Sequence, residues 1–188
     1  MDSAGQNPAQ KLILRILSEL DDGVYTTQLV KLIYLIDYVY CCHQGETATG
    51  LSYIWDEYGP NASGHQIVKE AGALAETGLI DIRPAPGGDQ ARSHHLREPI
   101  RPQFDVLLET IVDDVLRKYG SLPGRELVAL SKETPPFIGA RPGKPLVMTR
   151  SIPSMPPITE EDWQKHLHER SPTAGRTIRE LKADYGLD

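Results

Sequence analysis

Leu12, Ile13, Ile16, Leu17 and Leu20 recur at helical spacing and stop at Asp21-Asp22-Gly23, which predicts a first helix over 8–20. A second run has no polar side to speak of. Leu29, Leu32, Ile33, Ile36, Val39 and Tyr40 line one face, and Val30, Tyr34, Leu35 and Tyr38 fill much of the rest. A helix apolar almost all round is expected at the centre of a domain, here starting with Thr26 or Thr27 as cap and running to about Cys42, before Gly45. Asp37 then stands as a carboxylate inside an apolar segment, where it needs a partner.

Beyond Gly45 the pattern changes. Thr47, Thr49, Leu51, Tyr53, Ile54, Trp55 and Tyr58 are β-branched, apolar or aromatic and predict an extended segment closed by the turn Tyr58-Gly59-Pro60. Ser63-Gly64-His65-Gln66 has the form of a capping box, opening a third helix that packs through Ile67, Ala71, Leu74 and Ala75 and stops at Gly78. Leu79–Arg83 and Ala91–Arg97 predict two strands around the turn-rich Pro84-Ala85-Pro86-Gly87-Gly88-Asp89. Phe104, Leu107, Leu108, Ile111, Val115, Leu116 and Tyr119 mark a fourth helix over 103–119. Ser121-Leu122-Pro123 starts a short fifth, buried through Leu127, Val128 and Leu130. The expected fold is mainly α with a small β-hairpin: a winged-helix-like helical core plus C-terminal helices.

From Thr134 to Pro157 the composition shifts again, with seven prolines alongside Arg141, Lys144 and Arg150 and no acid. Such a stretch is not expected to form regular structure along its length and reads as a linker or as an arm that orders on a partner. Thr159-Glu160-Glu161-Asp162 predicts another helix start, and a last helical segment is expected over 173–185.

Hydrophobic residues make up 39% of the 188 and charged residues 24%, enough apolar surface for one packed domain with a tail. The formal net charge of −6 argues against nonspecific nucleic-acid binding and suits a basic partner. The third helix offers only Lys69 against Glu70 and Glu76, so DNA binding by the chain alone is not expected. That leaves room only for repression of its own operon in complex with a more basic partner. Cys41 and Cys42 are adjacent and bridge poorly, no signal-peptide pattern opens the sequence, and no apolar run has membrane-spanning length. A cytoplasmic protein is expected.

Candidate chemistry is sparse. Asp21-Asp22, Asp56-Glu57 and Asp113-Asp114 are adjacent acids, which on a helix usually face water rather than converge. His94 and His95, as strand neighbours, point to opposite faces and do not share a metal, and Cys42-His43 has no orienting acid at useful spacing. No enzyme activity, cofactor or metal is expected. Trp55, Asp56, Glu57 and Tyr58 read either as an acidic, aromatic-anchored interface or as a half-buried strand with solvated acids. Lys31, Tyr34 and Asp37, three apart, fall near one side of their helix. Either they offer a polar patch to a partner, or Asp37 accepts hydrogen bonds inside the fold and fixes the Tyr-Gly-Pro turn; the apolar surroundings favour the second.

Lys31-Leu32-Ile33-Tyr34-Leu35-Ile36-Asp37, Gly45, Tyr53, Tyr58-Gly59-Pro60 and Gly78-Leu79-Ile80 follow one another in an order and spacing that resemble the Panacea domain of SocA-like antitoxins. Tyr119-Gly120-Ser121 and Glu126–Ser131 extend the resemblance, which covers about 10–133. Together with the composition of the later segments, it implies a family domain over 8–133, a proline-rich connection over 134–158 and a helical extension over 159–188. It also implies an antitoxin that neutralises a cognate protein toxin, encoded beside it, by direct binding. Alternatives are an adaptor delivering the toxin to an AAA+ protease and a winged-helix transcription regulator. Tyr53, Trp55, Asp56, Glu57, Tyr58 and His65, with Arg141, Lys144 and Arg150, are the expected partner contacts.

Overall fold

A computed structural model describes residues 5–20, 23–85 and 91–154 of the chain. The first helix, α1 (Pro8–Glu19), is capped by Asn7: its side chain accepts from the Gln10 amide at 2.9 Å, while the Gln10 side chain accepts from the Asn7 amide at 3.2 Å. This reciprocal capping satisfies two backbone donors that a helix start leaves unpaired.

Helix α2 (Thr26–Gln44) is the centre of the described domain, with every residue from Gln28 to Tyr38 buried. Neither threonine caps it. Tyr25 holds the cap position without a side-chain bond, because Val24–Tyr25 is already committed as a strand, β1. The far end closes on Gly45 at φ +87°, a left-handed conformation that glycine adopts without steric cost. Gln28 ties the near end to the turn at 120–122 by donating to the carbonyls of Gly120 (2.8 Å) and Leu122 (3.1 Å).

After α2 come β2 (Tyr53–Ile54) and β3 (Asn61–Ala62), an antiparallel pair, and then a single 3-10 turn at Ser63–His65. Helix α3 (Gln66–Glu76) follows, and the anticipated capping box is not formed. His65 takes the cap position at φ +56°, and the Gln66 side chain donates forward to Glu70 (2.6 Å) rather than back. Glu70 also accepts from Asn7 and Gln10, both at 2.8 Å, so the polar side of α3 is bound to the start of α1.

Strands β4 (Ile80–Pro84) and β5 (Arg92–Leu96) form the expected hairpin, and β1 adds to the β5 side in the order β1-β5-β4. The fold is therefore mostly helical with a small antiparallel sheet. His94 is buried, its Nδ1 3.0 Å from the Val24 carbonyl, whereas the His95 ring on the other face meets the Ser93 hydroxyl at 3.0 Å. Arg83 and Arg97 both bind Asp81, at 3.0 and 2.7 Å.

Helix α4 (Val106–Tyr119) starts three residues later than its apolar pattern predicts, because Asp105 caps it by accepting from the amides of Leu107 and Leu108. Helix α5 (Gly124–Lys132) and one turn, α6 (Pro135–Ile138), are the last helices among the described residues. That turn lies in the proline-rich stretch, where Pro135 and Pro136 take the first-turn positions that need no amide donor. The helices expected beyond Thr159 lie outside the described residues. Among the described residues, no helix is long and apolar enough to cross a membrane.

Candidate partner-binding face

Three polar side chains on α2 reach three different non-helical segments. Lys31 Nζ donates to the Pro60 carbonyl at 2.7 Å. Tyr34 Oη lies 2.5 Å from Thr134 Oγ1. Asp37 accepts from the Thr49 amide (2.9 Å), the Thr49 hydroxyl and the Tyr53 hydroxyl (2.6 Å). All three α2 residues are buried, so they form an internal frame and not a surface patch. The lysine, not the aspartate, holds the Tyr-Gly-Pro turn; the aspartate holds the preceding loop.

Burial leaves its mark on these groups. It pushes the Asp37 carboxyl up to about 6 against the opposing hydrogen bonds from Thr49 and Tyr53. It lowers Lys31 to about 8, partly offset by the nearby Asp56 carboxylate. Tyr53 rises well above its ordinary value through burial and the adjacent Asp37 charge. The rings pack as well: Tyr34 meets Tyr53 edge-on, with centroids 5.1 Å apart.

This frame fixes the turn above it. Asp56 accepts from the Tyr58 amide through Oδ1 and from the Gly59 amide through its carbonyl, both at 2.9 Å. Gly59 sits at φ +85°, and a Cβ there would lie 2.8 Å from Ser131 Oγ, so both conformation and space demand glycine. The result lifts Tyr58 into solvent, 70% exposed.

The proline-rich segment runs back beside this turn. The Trp55 amide donates to the Lys144 carbonyl (2.8 Å), Gly143 donates to the Trp55 carbonyl (3.2 Å), and Leu146 donates to the Tyr53 carbonyl (2.8 Å). Residues 143–146 thus extend the β2–β3 ladder, although Pro142, Pro145 and Pro153 interrupt the described stretch from Gly139 onward. Arg141-Pro142-Gly143-Lys144 is a tight turn with proline second, Gly143 at φ +72° and a 2.9 Å bond from the Lys144 amide to the Arg141 carbonyl. Trp55 stacks on Phe137 of α6, with centroids 5.1 Å apart and planes within 16°. Farther on, Tyr38 Oη donates to the Ser154 carbonyl (3.2 Å) and accepts from its amide (3.0 Å), and the Ser151 hydroxyl is 3.2 Å from Cys42 Sγ.

Among the expected contact residues, Trp55, Tyr58, Arg141 and Lys144 belong to these neighbouring segments. Asp56 is half-buried and spent on its turn, and Glu57 is exposed beside it. Tyr53 is a correction: it is buried and supports the face from beneath, because its hydroxyl is taken by Asp37. Arg150 is exposed, but its guanidinium turns to the Gln44 carbonyl at 3.0 Å. His65 stands apart on the 3-10 turn, its ring meeting the Asn61 amide at 3.4 Å. Sequence reasoning missed Ile138 and Val147, 70% and 75% exposed beside the ladder. Their only sequence signal is an apolar residue among prolines and cations.

Among the described residues the acid pairs do not converge. Asp113 binds Arg15 (2.6 Å) and Asp114 binds Arg117 (2.5 Å), while Asp21-Asp22 lies outside the described residues. No cluster of histidine, cysteine and acidic side chains among the described residues has the arrangement of a metal site.

No curated protein and no solved structure matches the chain significantly. One family model does, "Antitoxin SocA-like, Panacea domain", over residues 29–137. That span takes in the α2 frame, the Tyr-Gly-Pro turn, the hairpin and Thr134, and it is more than half of the chain. The chain belongs to the SocA-like antitoxin family and carries its Panacea domain.

Proposed function

We propose that this protein is an antitoxin that neutralises a cognate protein toxin by direct binding, without catalysing a reaction. The observation that carries this reading is the side-by-side placement of 53–58 and 137–147, two segments far apart in the chain. Together they present Tyr58, Ile138 and Val147 to solvent on a backbone tied to the central helix. Exposed aromatic and aliphatic side chains on a rigid base are the composition of a protein-binding patch. Family membership supplies the antitoxin role; the face supplies the means.

Inhibition is steric in this reading, with the toxin's working surface covered and the toxin left intact. Apart from the short β2–β3 pair and the 3-10 turn between α2 and α3, the order helix, strand, helix, helix, hairpin, with β1 alongside β5, also supports reading the core as winged-helix-like. Co-expression tests the function. The product of the neighbouring gene alone should arrest growth, and this chain should restore it while the amount of toxin stays constant. A toxin that remains active with this chain present overturns the proposal. Toxin loss that requires an AAA+ protease replaces steric neutralisation with the adaptor reading.

A further inference from the structure

A groove of about 260 Å³ opens between α6 and the returning segment. Pro135, Pro136, Pro145 and Val147 line it together with Tyr38 of α2. Proline rings stiffen its walls, since their backbone torsion is fixed, while Thr149 and Ser151 bring polar atoms to one part of the lining. Ile138 and Val147 are largely exposed apolar side chains on the same two elements.

Charge is distributed unevenly around this groove. Ala140 and Pro145 line it, and the turn that joins them carries Arg141 and Lys144, both exposed and making no ion pair among the described residues. No aspartate or glutamate occurs from Thr134 to Ser154, in a chain whose formal net charge is −6. The segment that carries the groove mouth is therefore basic on an acidic protein; the acids across the ladder are Asp56, spent on its own turn, and Glu57, next to it in the chain. Arg150 does not contribute, being turned to Gln44.

We propose that this groove seats an extended segment of a partner protein in which acidic side chains flank a bulky apolar one. The apolar side chain enters between the prolines and Tyr38, and the carboxylates meet Arg141 and Lys144. Charge-assisted pairs at the mouth set register and on-rate, while the apolar anchor supplies most of the hold. Nucleic acid fits poorly. Two cations on an acidic chain neutralise few phosphates, and ring walls of proline offer no flat surface for a stacked base. The proposal rests on the antitoxin reading only for the identity of the partner, the toxin.

The test is selection from a displayed library of random peptides of about 12 residues, with the full chain as bait. Enrichment of Asp or Glu beside Leu, Phe or Trp is expected, with binding about tenfold weaker or worse to the Arg141→Glu/Lys144→Glu and Val147→Asp variants. These positions are exposed, so unchanged thermal melting should show that the variants fold. No enrichment, peptides without acids, or peptides that bind the variants as well as the original chain would overturn it. So would fluorescein-labelled duplex DNA that binds the original chain, but not the double variant, at about 0.15 M salt. Selection needs no toxin, so the two ideas fail separately. A selected peptide site without growth rescue removes the antitoxin reading, whereas rescue without a peptide site removes the groove.

Discussion

The Tyr53 hydroxyl donates a 2.6 Å hydrogen bond to Asp37 Oδ2, and both side chains are fully buried. A carboxylate in this setting is stabilised by its donors and penalised by its burial, and burial wins. Tyr53→Phe removes the donor without changing the ring. It should cost about 1–3 kcal/mol, the usual range for a hydrogen bond to a buried charged group, and push the Asp37 carboxyl higher still. Thermal melting and a carbon-detected NMR titration of Asp37 read the two effects.

The same carboxyl makes stability depend on pH with a definite sign. Folding raises it from 3.8 to about 6, so the folded state holds this proton more tightly than the unfolded chain. Stability must then fall as pH rises between those two values. Asp37→Asn has no such group. The stability of the original chain relative to Asp37→Asn should decline across that window and be level on either side, as followed by urea denaturation. Comparison with the variant cancels the opposite trend from buried His94, whose lowered basicity makes acid unfavourable.

Lys31 carries the reverse dependence at alkaline pH. Burial lowers it from 10.5 to about 8, so between these values the unfolded chain holds more protons and stability rises with pH. Lys31→Met should abolish that rise. It also leaves the Pro60 carbonyl without its donor, at a cost of about 1–2 kcal/mol at neutral pH. Denaturant midpoints at several alkaline pH values provide the check.

Arg15 is buried completely on α1, yet its guanidinium binds Glu19, Glu109 (2.9 Å) and Asp113 (2.6 Å). Removing it strands Glu109 and Asp113 and leaves Glu19 only Arg101 among the described residues, at 3.4 Å. Because the three carboxylates are between 32% and 57% exposed, Arg15→Ala should cost about 3 kcal/mol, the low end for breaking a buried pair. Adding Glu109→Gln should recover part of the loss, since one oxygen of Glu109 is buried without a partner. Equal destabilisation in single and double variants would contradict this account.

Tyr58 separates binding from folding. Its ring is mostly in solvent, so Tyr58→Ala should change stability by no more than about 0.5 kcal/mol. As an aromatic on the proposed face, it should nevertheless weaken toxin neutralisation by about tenfold or more. Melting and growth rescue, measured on the same variant, decide it.

How much of this was legible in the sequence follows from the range of each interaction. Helix α2 announces itself because an apolar residue at nearly every position has one physical meaning, burial all round. Strand β1 gives no sign: two residues, Val24 and Tyr25, are too few to show a period, and only the pairing with β5 makes them a strand. Arg15 looks like a charge facing water, because two of its carboxylate partners lie on α4, 94 and 98 residues away. The proline-rich segment misleads for the same reason. Local chemistry says that it donates few hydrogen bonds, but not that Leu146 and Gly143 find carbonyls of Tyr53 and Trp55 on a strand about ninety residues earlier. The family motif was readable as a motif; that Lys31 rather than Asp37 reaches the Tyr-Gly-Pro turn was not.

Because Lys31, Tyr34 and Asp37 fasten three outer segments directly to the innermost helix, those segments cannot peel away one by one at little cost. Amide hydrogens of the outer ladder, such as that of Leu146, should exchange with solvent about as slowly as those of α2, through opening of the whole domain. A scaffold built this way changes what it recognises by exchanging side chains on a stiff surface, not by refolding loops.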